Sequence, residues 1–240
     1  MLSIGGNRRI MMESVRHFAS VPFEAEYLLH LPSVVDGQTP LVLALHGYGS
    51  SPEAMLRLSE MALGGGPIIA SLRGPNQCYI NTGPLGTPAL GSAVGYNWGT
   101  TPHAEHNIAL HHRIIQAVSA ELRAQFGIPH SRVVLMGFSQ PVGLNYRFIG
   151  THPEEAGGVI ALCGGVPKDW ESDKYNHVAA PILHISRSED EFFPETVAQG
   201  FPDRLRAHAA NVEFHMLPGK HRFPSKASSL IRDFLRKVAG

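Results

Sequence analysis

The sequence predicts one α/β domain: a mostly parallel central sheet with helices on both faces and no separate cap domain. Three observations carry that expectation: a length of 240 residues, near-continuous apolar runs, and the alternation of those runs with amphipathic segments. A chain of this size suits a single sheet wrapped by helices and leaves little room for a second independent domain. Residues 21–240 are read as that domain and 1–20 as an N-terminal extension, with Met11 and Met12 as alternative starts inside it.

In chain order, FEAEYLLHLP from Phe23 alternates enough to be an outer antiparallel strand. LVLALHG from Leu41, PIIASLRG from Pro67, RVVLMGF from Arg132 and PILHISR from Pro181 are short, apolar and bounded by Gly, Pro or charge. Such runs mark strands buried on both faces, as in a parallel sheet. GGVIALCGG from Gly157 and VEFHML from Val212 add two more. The resulting order is β, β, α, β, α, β, α, β, β, α, β, α. The clearest helix runs from about Ala104 to Phe126, where Ile108, Ile115, Val118, Leu122 and Phe126 form one stripe, and Gly127 can close it. The last helix, from about Pro224, gathers Leu230, Ile231, Phe234 and Leu235 on one face. Between Gly74 and His103 lie six glycines, four prolines and no periodicity. This is expected to be a long irregular loop that covers or walls the site.

Twenty basic and twenty acidic side chains give no net field, so neither nucleic acid nor an anionic membrane is an expected partner. Cys78 and Cys163 are far apart and form no CxxC, which argues against a disulfide framework and for a reducing, cytoplasmic setting. No run approaches the roughly 18 apolar residues of a spanning helix. His103 with His106, and His111 with His112, lack a companion carboxylate or cysteine at ligand spacing, so no metal is expected.

The strand RVVLMGF runs straight into Gly137-Phe138-Ser139-Gln140-Pro141, and VGLNYRFIG beyond it can be helical. Strand, sharp turn and helix is the setting of a nucleophile elbow, in which a serine hydroxyl is presented at the carboxyl edge of the sheet. Pro141 stands where the pattern has glycine. Its missing N–H costs nothing in a first helical turn, but its ring disfavours helical geometry at Gln140, so a slightly displaced, still functional elbow is expected. The fold then requires an acid and a histidine, in that order, in loops after later strands. Asp190 follows PILHISR, with Glu189 and Glu191 as competitors, and His221 follows VEFHMLPG. His221 would take the Ser139 proton and Asp190 would hold the imidazole tautomer. Two backbone donors should face the developing oxyanion: the N–H of Gln140, and that of Tyr48 in the loop His46-Gly47-Tyr48-Gly49. His46 itself is expected to be structural.

At these residues the chain resembles the phospholipase/carboxylesterase group of α/β-hydrolases, which includes acyl-protein thioesterases and small bacterial carboxylesterases. The matching pieces are LHGYGSSPE, LRGP, Trp98, GFSQ, EDEFFP and LPGKH, in family order from about Leu41 to Phe223. The family's elbow reads G-F-S-Q-G, and Pro141 departs from it. The resemblance implies an α/β-hydrolase fold and an esterase acting on short to medium acyl groups, with a small-molecule substrate and no cofactor. Tyr48, Trp98, Phe192 and Phe223 flank the matched motifs and are the candidates for the acyl pocket. An amidase or peptidase on the same residues, and a binding protein that has lost the chemistry, are the alternatives. Monomer and homodimer both remain open.

Overall fold

A computed structural model of the chain describes residues 16–80, 87–88 and 90–240. Met11 and Met12 therefore lie outside the described residues. The seven strands expected from the sequence all join one sheet. They are β1 (Tyr27–His30), β2 (Leu41–Leu45), β3 (Ile68–Leu72), β6 (Val133–Phe138), β7 (Gly158–Leu162), β8 (Ile182–Arg187) and β9 (Val212–Leu217). The spatial order is β1-β3-β2-β6-β7-β8-β9. β1 pairs antiparallel with β3, and every other pairing in this sheet is parallel.

Alternation along β2 shows how the sheet is covered. Leu41, Leu43 and Leu45 enter one apolar cluster and Val42 and Ala44 the other. The first face is covered by α2 (Ala104–Phe126) and α3 (Gln140–Thr151), with Phe201 and Leu205 of the short α5 (Phe201–Leu205). The opposite face is covered by α1 (Pro52–Leu63) and α6 (Ser228–Ala239). All five residues of β2, β3 and β7 are buried, which is why those strands read as unbroken apolar runs. α2 has the expected bounds, and Gly127 closes it with φ 69° and its N–H on Arg123 O. A short helix α4 (Glu195–Ala198) precedes α5, and a 3₁₀ turn, Ser225–Ala227, precedes α6. Among the described residues no helix is long and apolar enough to cross a membrane.

The segment from Gly74 to His103 corrects the expectation of a structureless loop. It holds a two-stranded antiparallel ladder, β4 (Asn76–Tyr79) with β5 (Val94–Asn97). The ladder docks on the loop after β2: Gly49 N–H donates to Tyr96 O and Tyr96 N–H donates to Ser50 O, both at 2.8 Å. A Cβ at Gly95 would lie 2.2 Å from Gly49 O, so only glycine allows this approach.

Candidate active site

The parallel register brings four loops together at the carboxyl ends of the strands. Leu45 pairs with Gly137, so the loop after β2 lies beside the turn after β6. Arg187 pairs with Leu217, and Ser188 and Glu189 N–H donate to Leu217 O and Gly219 O, so the loops after β8 and β9 run together. Open α/β sheets offer their ligand crevice at this edge.

Ser139 has φ 64° and ψ −112°, a conformation that costs a non-glycine residue about 1–3 kcal/mol. Two bonds hold it: Ser139 N–H to Leu162 O at 2.8 Å, and Val142 N–H to Ser139 O at 3.2 Å. Tight packing matters as much. A Cβ at Gly164 would stand 2.3 Å from Val142 Cβ and 2.6 Å from Ser139 O, and one at Gly137 would stand 2.9 Å from Asn145 Nδ2. The space that the turn needs is thus provided by Gly137 and by Gly164 on the neighbouring chain segment. Gln140 begins α3 in spite of Pro141, and Pro141 is buried in the first turn, where its missing N–H leaves no intrahelical bond unmade.

Ser139, His221 and Asp190 are brought into one hydrogen-bonded chain. Ser139 Oγ lies 2.8 Å from His221 Nε2, and His221 Nδ1 lies 2.7 Å from Asp190 Oδ2. The Asp190 side chain is 1% exposed and that of His221 12%. Asp190 Oδ1 accepts from Phe192 and Phe193 N–H, both at 2.9 Å, which leaves Oδ2 for the imidazole. Of the competing acids, Glu189 is exposed, whereas Glu191 accepts the backbone N–H of His221 at 2.9 Å and so fixes that loop. The rings of Phe192, Phe138 and Phe193 surround the imidazole at 4.7, 5.3 and 6.2 Å between centroids. Such an array can pass a proton from a hydroxyl to an imidazole whose positive charge a carboxylate then stabilises.

Gly47 lies against Phe138, whose ring and carbonyl oxygen a Cβ there would meet at 3.1 and 3.3 Å, and this sets Tyr48 beside the elbow. Gln140, as the first residue of α3, has an N–H with no intrahelical acceptor. Neither that N–H nor the N–H of Tyr48 donates to a protein acceptor among the described residues. His46 is buried. Its Nε2 accepts Gly74 N–H at 3.0 Å, so the ring proton sits on Nδ1, which donates to Gly47 O at 2.8 Å. Burial lowers its pKa, and it ties the β2 loop to the segment after β3.

The expected pocket residues divide. Trp98, proposed as a pocket wall, is fully buried, with its indole N–H on His46 O at 2.8 Å, and it presents no surface to a ligand. Tyr48 and Phe192 are 61% and 72% exposed beside the site, and Phe223 is half-buried, 5.9 Å from Phe138. Sequence reasoning missed the side chain of Gln140, whose Oε1 accepts Trp98 N–H at 2.9 Å and whose Nε2 donates to Gly99 O at 2.8 Å. Cys163 also adjoins the site, but burial, then the charge of Asp190, pushes its thiol up to about 12, and it does not compete as a nucleophile.

Two surface cavities, of about 490 and 270 Å³, open at the other end of the sheet, beside Pro40 and Arg232 and beside Pro181 and Asn211, and neither touches these residues. Among the described residues the group that could hold a metal is His152, Glu154 and Glu155, none of which was weighed from the sequence. It lies beyond the far end of α3, roughly 20 Å along the helix from Ser139.

The sequence matches the phospholipase/carboxylesterase family over residues 32–239. The chain belongs to that family. The fold is correspondingly that of an α/β-hydrolase, and family membership supports an ester hydrolase. Similar solved structures include a Bacillus cereus carboxylesterase, 15% identical with a TM-score of 0.69 over 89% of this chain and 94% of that one. The esterase PE8 is 21% identical with a TM-score of 0.71, covering 90% of this chain and 100% of that one. A phospholipase/carboxylesterase from Dyadobacter fermentans is 19% identical with a TM-score of 0.66, covering 91% and 100%. A search of curated proteins finds no match.

Proposed function

We propose that this member of the family is a serine hydrolase that cleaves carboxylic esters or thioesters of short to medium acyl chains through an acyl-enzyme intermediate. The observation that carries the reading is the continuous Asp190–His221–Ser139 chain at 2.7 and 2.8 Å, at the carboxyl edge of the sheet. Ser139 Oγ attacks the acyl carbonyl while His221 Nε2 takes its proton, and Asp190 stabilises the imidazolium. The N–H groups of Gln140 and Tyr48 receive the oxyanion. His221 then gives its proton to the departing alcohol or thiol, and a water activated by the same imidazole releases the acid. Phe192, with Tyr48 and Phe223, supplies apolar surface for the acyl chain. The reaction needs a small-molecule ester and no further partner, and one domain, residues 21–240, performs it.

Hydrolysis of p-nitrophenyl esters from acetate to laurate tests the reading. Turnover with a chain-length optimum, abolished by Ser139→Ala, is the expected result. Turnover that survives Ser139→Ala, or none across the series, sinks it.

A further inference from the structure

The two donors proposed for the oxyanion belong to different elements. Gln140 N–H sits at the head of α3, after β6, and Tyr48 N–H sits in the loop after β2. Between Gly47 and Ser50 that loop makes one internal backbone bond, Ser50 N–H to Gly47 O at 3.2 Å. From outside, besides the Gly47 contact with Phe138 and the His46 bond to Gly74 N–H, it is held by the β5 segment. Tyr96 exchanges backbone bonds with Gly49 and Ser50, and the Trp98 indole donates to His46 O. The same segment is gripped at its far end by the Gln140 amide, which spans Trp98 N–H and Gly99 O. One stretch of backbone, residues 96–99, is thus clipped to the β2 loop on one side and to the elbow on the other.

Resting on the ester-hydrolase reading above, we infer that the Gln140 side chain is a positioning residue: it holds the β5 segment so that the Tyr48 and Gln140 N–H groups keep the separation an oxyanion requires. A primary amide suits the task, because one group must accept from an N–H and donate to a carbonyl two atoms of side chain away. A carboxylate or an ammonium of similar length cannot do both. Gln140 therefore has two separable roles, a backbone N–H that any substitution but proline retains and an amide that a substitution removes.

The test is steady-state hydrolysis of p-nitrophenyl butyrate by the full chain carrying Gln140→Met, Trp98→Phe, or both. Gln140→Met keeps the length and apolar volume and deletes both hydrogen bonds; Trp98→Phe keeps a ring and deletes the indole donor on the other side of the same segment. Loss of one oxyanion donor outright costs about 100- to 1,000-fold in kcat, so a donor merely displaced is expected to cost Gln140→Met about 10- to 100-fold. KM should stay within about threefold, since the affected interaction forms only in the transition state. The acid limb of kcat/KM against pH should not move, because the His221–Asp190 pair is untouched. In the double variant the losses should fall short of their product, as expected for two clips on one segment. A kcat for folded Gln140→Met within about threefold of the unaltered chain, a displaced pH limb, or multiplicative losses would overturn the inference. No Ser139-dependent turnover in the unaltered chain would overturn both this and the ester-hydrolase reading, and that outcome is visible before any Gln140 variant is made.

Discussion

Two histidine–serine pairs sit in this molecule, one closing across 82 positions of chain and the other across two, and they differ in what surrounds them. His221 bonds Ser139 through Nε2, and His184, on β8, bonds Ser186 through Nε2 at 3.1 Å. Each imidazole has a second partner on Nδ1: Asp190 for His221, and the Tyr146 hydroxyl at 2.6 Å for His184. Each is flanked by three aromatic rings, those around His184 being Tyr146, Phe201 and Phe214. Yet His184 is fully buried, with its pKa lowered to about 3 by desolvation, so it stays neutral. A phenol cannot stabilise an imidazolium as a carboxylate can, and a buried serine in mid-strand cannot reach a substrate. The difference teaches that a histidine–serine hydrogen bond does not by itself make a site for the proposed chemistry. A charged partner and an exposed, strained turn are what separate the two pairs.

The sharpest way to break this comparison is to remove one member from each pair. Ser139→Ala is expected to lower kcat/KM by about 10⁴-fold or more, and Asp190→Asn by a similar factor. In Asp190→Asn the Phe192 and Phe193 N–H groups claim the Oδ1 oxygen, which turns the amide N–H₂ towards His221 and imposes the wrong tautomer. Ser186→Ala should leave kcat/KM within about twofold. Activity that depended on Ser186 as strongly as on Ser139 would remove the distinction.

Acid separates the two environments next. His184 and His111 are lowered to about 3 and His112 to about 4, each chiefly by burial. Their folded pKa values lie below the ordinary value of 6.5, so the unfolded chain binds protons that the folded chain refuses. Stability is therefore undiminished above pH 6.5 and falls as the pH drops from there towards about 3. Each such histidine contributes up to about 1.4 kcal/mol per pH unit. A urea midpoint that falls steeply between pH 6.5 and 4.5 is expected, and a flat one would mean that these imidazoles are not held neutral. Tyr146→Phe is a smaller perturbation of the same cluster. It leaves His184 Nδ1 without its partner at a cost of about 1–3 kcal/mol, read as a lower thermal midpoint with unchanged kcat.

What could be read from the sequence follows from where each signal is local. The five inner strands of the main sheet were legible because burial on both faces forces a continuous apolar run, as in Leu41–Leu45, and the outer strand Tyr27–His30 was legible from its alternation. The Ser139, Asp190 and His221 positions were read from the short segments that follow β6, β8 and β9, in the order that the fold imposes. The β4–β5 ladder was not, since Asn76–Tyr79 is polar and half-exposed and pairs only with β5, whose Tyr96 is held by backbone bonds to Gly49 and Ser50, remote in sequence. Trp98 was misassigned for a related reason: its place beside a matched motif gave no sign that His46 O would draw it inside. Nor does HIS at 184–186 differ in pattern from a surface strand; only the Tyr146 hydroxyl, arriving from α3, explains why a histidine is tolerated there.

Pro141 gives the finest test, because here the sequence and the structure lead to different expectations. The sequence suggested strain, and relief of strain by Pro141→Gly would raise stability or activity. In the structure the ring is buried in the first turn of α3, Gln140 is already helical, and the close contacts at the turn fall on Gly137 and Gly164 instead. A glycine at 141 would then relieve nothing. It would free the unfolded chain and remove buried apolar atoms, so a loss of about 1 kcal/mol is expected, with kcat within about threefold. Denaturant unfolding beside ester turnover measures both, and a gain in either would locate strain at Pro141 and move the source of the elbow's geometry back from the glycines to the proline.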